Sequence, residues 1–198
     1  LAKIGGWENK KSPEFFAEFV KIVVKEFSDK IDFWITINEP MIYAMQGYAR
    51  GIFPPGKKSI LSFYRVLKNL IKAHRLAYNI IHQNQSDAQV GLAQNVVYFS
   101  AWPKKTFFNA ILVETINRFW NHWLIKRTRG FNDFLGLNFY FHFRLKAGLT
   151  GVRQVNVQED KLPTSNIGWE TNPMAFEKSI EELKQYNLPI YITENGTA

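Results

Sequence analysis

Residues 31–40, IDFWITINEP, carry the reading on which the fold turns. Residues 31–37 form a short, nearly continuous apolar run, the pattern of a parallel strand covered on both faces. The run ends in Asn38-Glu39. A carboxylate at the end of an apolar strand is expensive to bury unless it has a partner or chemical work. The same pattern returns near the other end of the chain. Leu188, Pro189, Ile190, Tyr191 and Ile192 read as a strand buried on both faces, followed by Glu194 and by Asn195-Gly196, a pair suited to a tight turn with positive φ.

Between and before these two strands, helical and strand patterns alternate. Ser12-Pro13 is a helix start, with Ser as N-cap and Pro at the first helical position. Phe15, Phe16, Phe19, Ile22, Val23 and Phe27 then recur at helical spacing. A Gly/Pro-rich loop, GYARGIFPPGKK, leads to a long helix from about Ser59 to Asn84 with Phe63, Leu67, Leu70, Ile71, His74, Tyr78 and Ile81 inward. Residues 89–95 read as a strand, and a helix from about Thr106 to Arg127 carries Ile111, Val113, Ile116, Phe119, Trp120 and Trp123. Residues 134–140 are the next strand, 141–158 a β excursion, and Asn172-Pro173 starts a helix ending near Tyr186. Residues 189–193 close the series. This is the rhythm of a parallel α/β fold with no internal boundary, so residues 1–198 are expected to be a single domain. The strands end in Asn38-Glu39, Gln94-Asn95, Asn138 with Tyr140, and Glu194-Asn195. Polar side chains gathered at the carboxyl ends of parallel strands mark the active face of such folds, above all of the (β/α)8 barrel.

Composition narrows the classes. Hydrophobic residues at 46% and aromatics at 16% are ample for a packed core. The absence of Cys removes disulfides and thiolate zinc sites and fits a reducing compartment, the cytoplasm. Lys and Arg interrupt each apolar run before membrane-spanning length, and a start at Leu1 leaves a preceding leader open. The 25 basic residues exceed the 17 acidic ones by +8, but they are scattered over helix surfaces. A nucleic-acid partner therefore rests on net charge alone. His82, His122 and His142 show no ligand spacing, and His74 reads as a hydrogen-bonded core histidine, so neither a metal nor a cofactor is called for.

Two carboxylates presented by different strands suit glycoside hydrolysis, in which one protonates the leaving oxygen while the other attacks or activates water. The words around them say more. WITINEP and YITENG resemble the acid/base and nucleophile signatures of glycoside hydrolase family 1, the β-glucosidase family, and GGWEN, GYARGIFPPG, DFLGLNFY and GWETNP follow that family's order. The resemblance implies a retaining β-glycosidase acting on β-linked glycosides, with Glu39 as the acid/base and Glu194 as the nucleophile. It implies carboxyl groups roughly 5–5.5 Å apart. Glu39 must start protonated. Asn38 matches the residue that bonds the sugar 2-OH, and Tyr140 the tyrosine whose hydroxyl holds the nucleophile ionised. Asn138, Asn95 and Trp169 match positions lining the cleft, Trp169 offering an apolar face to a sugar ring.

The sequence also departs from the pattern. Met41 stands where members often carry an aromatic residue, and the connection from Asn95 to Phe134 is short. A (β/α)8 barrel takes ~250 residues, whereas the resemblance identifies the strands here as roughly the fourth to the seventh. The expectation is a partial (β/α)8 TIM barrel with two unpaired parallel edges, inactive alone and requiring the remainder of the barrel from the same gene or a partner chain. The alternative is a non-catalytic sugar-binding or scaffolding remnant.

Overall fold

In the computed structural model, residues 1–102, 106–148, 151–155 and 163–196 are described. Two units are present, residues 1–94 with 126–136 and residues 95–125 with 137–198. The strand order is β1-β2-β3-β4, with β5 also on β3.

The first unit begins with α1 (Ser12–Phe27), with Pro13 in its first turn. Ser12 does not cap it; its hydroxyl donates to Gly6 O at 2.6 Å, and Lys11 occupies the capping position. The buried face of α1 is Ala17, Val20 and Val24, packed on Ala77, Ile80 and Ile81 of α3 (Ile60–Asn84). The phenylalanine stripe at helical spacing lies largely outward, with Phe19 and Ile22 at 59% and 69% exposure. Small residues at the contact let the two helix axes approach, and the larger stripe is left on the far side. Helix α3 starts where expected, with Ser59 Oγ accepting from Ser62 N at 3.3 Å.

Strand β1 (Phe33–Asn38) pairs in parallel with β2 (Gln89–Ala101), Phe33 opposite Gln89 and Ile35 opposite Gly91. Trp34 and Thr36 face α3: the indole N–H donates to Gln85 Oε1 at 3.2 Å, and Thr36 Oγ1 lies 2.7 Å from His74 Nδ1. The opposite face is open, with Phe33 and Ile35 at 53% and 44% exposure, so β1 is covered on one face rather than two. Strand β3 (Phe134–Gly148) lies against β2 so closely that a Cβ on Gly91 would meet Phe134 O at 2.6 Å. Asp133 ties the layers together: its carboxylate accepts from Tyr78 O–H (2.8 Å) and from Val90 N–H (2.9 Å) and pairs with His82 Nε2 (2.8 Å). Beyond β1, α2 (Pro40–Ala44) runs into a π-helical turn at Met45–Ala49.

In the second unit, β2 continues to Ala101, longer than the strand expected over 89–95. The Asn121 side chain brackets Val97, accepting from its N–H (3.0 Å) and donating to its C=O (2.7 Å). The helix expected from 106 to 127 is α4 (Phe107–Asn117), a π-helical turn at Arg118–His122, and α5 (Trp123–Arg127). Its buried positions are Asn121, His122, Leu124 and Ile125, not the aromatic stripe. The polar pair is buried because it is bonded, His122 lying 2.6 Å from both Tyr186 Oη and Glu182 Oε1. The β excursion is seen where β4 (Gly151–Gln154) pairs antiparallel with residues 145–148; residues 149–150 and 156–158 of that expectation lie outside the described residues. Asn172 caps α6 (Pro173–Leu183), accepting from Ala175 N at 3.1 Å. Strand β5 (Ile190–Asn195) lies beside β3, Thr193 Oγ1 donating to Asn138 Oδ1 (2.5 Å) and Asn195 Nδ2 to Phe139 O (2.8 Å). Whereas β1 is open on one face, β5 exposes the consecutive Tyr191 and Ile192, which point to opposite faces.

Candidate active site

The first unit holds Glu39 and Asn38 at the carboxyl end of β1. Glu39 has φ 45° and ψ 53°, a left-handed conformation it shares among described non-glycine residues only with Asn187. A non-glycine residue held there costs ~1–3 kcal/mol, and such residues cluster at functional positions. The surroundings hold it in place: its N–H donates to Ala93 O at 2.8 Å and its C=O accepts from Tyr43 N at 3.0 Å. The side chain is half-buried, Asn38 is exposed, and Met41 is fully buried, part of the core rather than of a cleft.

The second unit brings together Glu194, Tyr140, Trp169 and Asn138. Tyr140 O–H donates to Glu194 Oε2 at 3.0 Å, a bond that fixes the direction in which the carboxylate points. Asn138 is fully buried on β3, two residues before Tyr140, and is reached by Thr193 from β5. The Trp169 ring lies 4.4 Å from Phe141 and 6.0 Å from Tyr140, and its backbone N–H donates to Ser165 Oγ at 3.2 Å. Asn95 is buried on β2 in the same unit.

Next to Trp169 stands a group that sequence reasoning missed. The Glu170 carboxylate accepts two bonds from Arg144, Nε to Oε2 at 2.9 Å and a terminal N–H to Oε1 at 2.7 Å, and lies 3.0 Å from His142 Nδ1. Burial pushes the Glu170 carboxyl up, but the Arg144 hydrogen bond and the neighbouring His142 outweigh it and hold the group below its ordinary range. Burial likewise drives His142 down, against the pull of Glu170, and leaves it below an ordinary imidazole. The word GWETNP contains Glu170, but no spacing links it to His142 or Arg144; only the tertiary structure joins them. Among the described residues no group of three or more His, Asp or Glu is placed to hold a metal ion, and no helix is long and apolar enough to cross a membrane.

Parallel strands with polar residues at their carboxyl ends and helices between them define part of a (β/α)8 barrel, and comparison with solved structures agrees. The family 1 β-glucosidase of Thermotoga maritima matches over 98% of this chain and 50% of its own, with TM-score 0.85 and 28% identity. The AHE enzyme of Alicyclobacillus herbarius shares the fold over the whole chain, with TM-score 0.90 at 24% identity. The model of glycosyl hydrolase family 1 matches residues 1–130, and the chain belongs to that family. Among characterised relatives, β-glucosidase A of Thermotoga maritima is 29% identical over 98% of this chain, and the β-galactosidase of Saccharolobus solfataricus 30% over 98%. The chain spans about half the length of such relatives, 50% and 45% respectively.

Proposed function

We propose that residues 1–198 form a single partial catalytic domain of a retaining β-glycosidase, in which Glu194 is the nucleophile and Glu39 the acid/base. The observation that carries the reading is the Tyr140 hydroxyl on Glu194 at the end of β5. That hydrogen bond holds the carboxylate in one orientation, as a nucleophile requires. Glu39 sits in a constrained turn at the corresponding end of β1, which suits a group that must present its proton to a leaving oxygen. In the reaction, Glu39 protonates the glycosidic oxygen as Glu194 attacks the anomeric carbon and forms a glycosyl ester. Water, deprotonated by Glu39, then releases the sugar with retained configuration. Asn38 would bond the 2-OH, and Asn138, Asn95 and Trp169 would line the cleft. The substrate class is a β-linked glycoside, as the relatives' names indicate. The chain alone is expected to be inactive, the remainder of a barrel being required.

The test splices residues 1–198 in place of the matching segment of the Thermotoga maritima enzyme and assays an aryl β-glucoside. Turnover should fall by at least ~10³-fold in Glu194→Gln and by ~10²–10⁴-fold in Glu39→Gln. A 2-deoxy-2-fluoro glycoside should leave a covalent adduct on Glu194. Sugar binding without turnover or adduct would favour the non-catalytic remnant instead.

A further inference from the structure

Ser100, His142 and Glu170 form a relay in the second unit that the glycosidase chemistry does not use. Ser100 Oγ lies 2.7 Å from His142 Nε2, and His142 Nδ1 lies 3.0 Å from Glu170 Oε1. We propose that this is a second nucleophilic centre, with Ser100 as nucleophile, His142 as general base and Glu170 as the group that orients it, acting on carboxylic esters with a short, uncharged acyl group. The residues come from β2, β3 and the segment before α6, so sequence order gives no sign of the arrangement.

The proton positions follow from the hydrogen bonds. Asn172 Oδ1 accepts from Ala175 N–H at 3.1 Å, which turns Asn172 Nδ2 toward Glu170 Oε1 at 3.2 Å. Glu170, gripped twice by Arg144, is a carboxylate and can only accept. His142 Nδ1 faces both the Glu170 carboxylate at 3.0 Å and Asn172 Nδ2 at 2.9 Å. The charged acceptor outweighs the neutral amide, which can give its N–H to Glu170 instead, so the proton sits on Nδ1 and the Nε2 lone pair faces the Ser100 hydroxyl. That is the tautomer a general base needs. Burial holds the His142 ring in its neutral form.

Ser100 is half-buried and lines an open cavity of ≈ 470 Å³ with Tyr98, Phe99, Ala101, Ala110 and Val113. The one carboxylate of its lining, Glu114, disfavours an anionic acyl chain and leaves a small neutral one as the best fit. The reaction balances without a cofactor. Ser100 Oγ bonds to the carbonyl carbon as its proton passes to His142 Nε2. Collapse of the tetrahedral adduct breaks the C–O bond to the alcohol, which leaves with that proton. Water then attacks the acyl-serine through His142, releasing the acid and restoring Ser100.

The test uses the full 198-residue chain and a fluorophosphonate probe, with peptide mass spectrometry to locate the label. Phosphonylation is expected at Ser100, about a hundredfold faster than at any other serine, and p-nitrophenyl acetate should be hydrolysed with a burst. Ser100→Ala should abolish both, and His142→Gln should slow labelling at least about tenfold while the circular dichroism spectrum stays that of the parent. Labelling at Ser100 no faster than at other serines would overturn the proposal. So would unchanged labelling in the folded His142→Gln protein.

Discussion

His74 shows how one residue can report on the fold. It is fully buried on α3 and lies beside Thr36 of β1, and burial pushes its imidazole from 6.5 down to about 4. Because the unfolded chain takes up that proton first, the contribution of neutral His74 is complete above pH 6.5 and falls away as the pH drops toward 4. The loss amounts to about 3 kcal/mol across that window. Glu170 and Glu182 have the same sign at lower pH. Their carboxyls are held below 4.5, so the stability they give is present above that value and is lost as acid protonates them in the fold. Urea melts at pH 7.5 and 4.5 separate the two effects. His74→Leu should remove most of the fall between these values, and an undiminished fall in that variant would show that the imidazole is not its source. The buried role of His74 was legible from its place on the inner face of α3. Its neighbour Thr36 was not, because a parallel sheet and the helix crossing it bring together residues far apart in sequence.

At the scale of elements, what could be read was what repeats locally. Strand ends carrying Glu39 and Glu194, the Ser59 cap of α3 and the Asn172-Pro173 start of α6 all come from short-range chemistry, and they stand where expected. Helical spacing alone did not single out the buried face of α1, because the helix has two apolar stripes, the bulkier one with Phe15, Phe19 and Ile22. Packing favoured Ala17, Val20 and Val24 because α3 presents Ala77 at the contact. The cluster of His142, Arg144 and Glu170 was illegible for the same reason as Thr36: no periodicity connects a strand to the segment before a helix. Close approach of β2 and β3 gives the test at this scale. Gly91 has no room for a Cβ, which would sit 2.6 Å from Phe134 O, a backbone atom that cannot swing aside. Gly91→Ala should therefore lower stability by ~1–3 kcal/mol, read as a shift in the urea midpoint. An unshifted midpoint would mean that the two strands separate more easily than this packing implies.

The whole chain presents more apolar surface than its composition suggested. Phe15, Phe19, Ile22 and Phe27 of α1 are exposed in the first unit, as are Phe33 and Ile35 of β1, while Tyr191 and Ile192 of β5 are exposed in the second. The β1 and β5 residues had read as core positions, because continuous apolar runs ordinarily signal burial. An apolar strand left open on one face is also a template for association with another chain. The net charge of +8 opposes that association at low ionic strength, and salt screens it within about 10 Å at 0.1 M. The chain should accordingly remain dispersed in dilute buffer and associate as salt rises. Ile22, at 69% exposure and on the far side of α1 from the α3 contact, contributes to that surface without holding the core. Ile22→Lys should raise the salt concentration at which light scattering begins while moving the urea midpoint by no more than about 0.5 kcal/mol equivalent. Scattering that begins at the same salt as in the parent would place the sticky surface elsewhere, on the open faces of β1 and β5. A large loss of stability would mean that the outward stripe of α1 is packed after all.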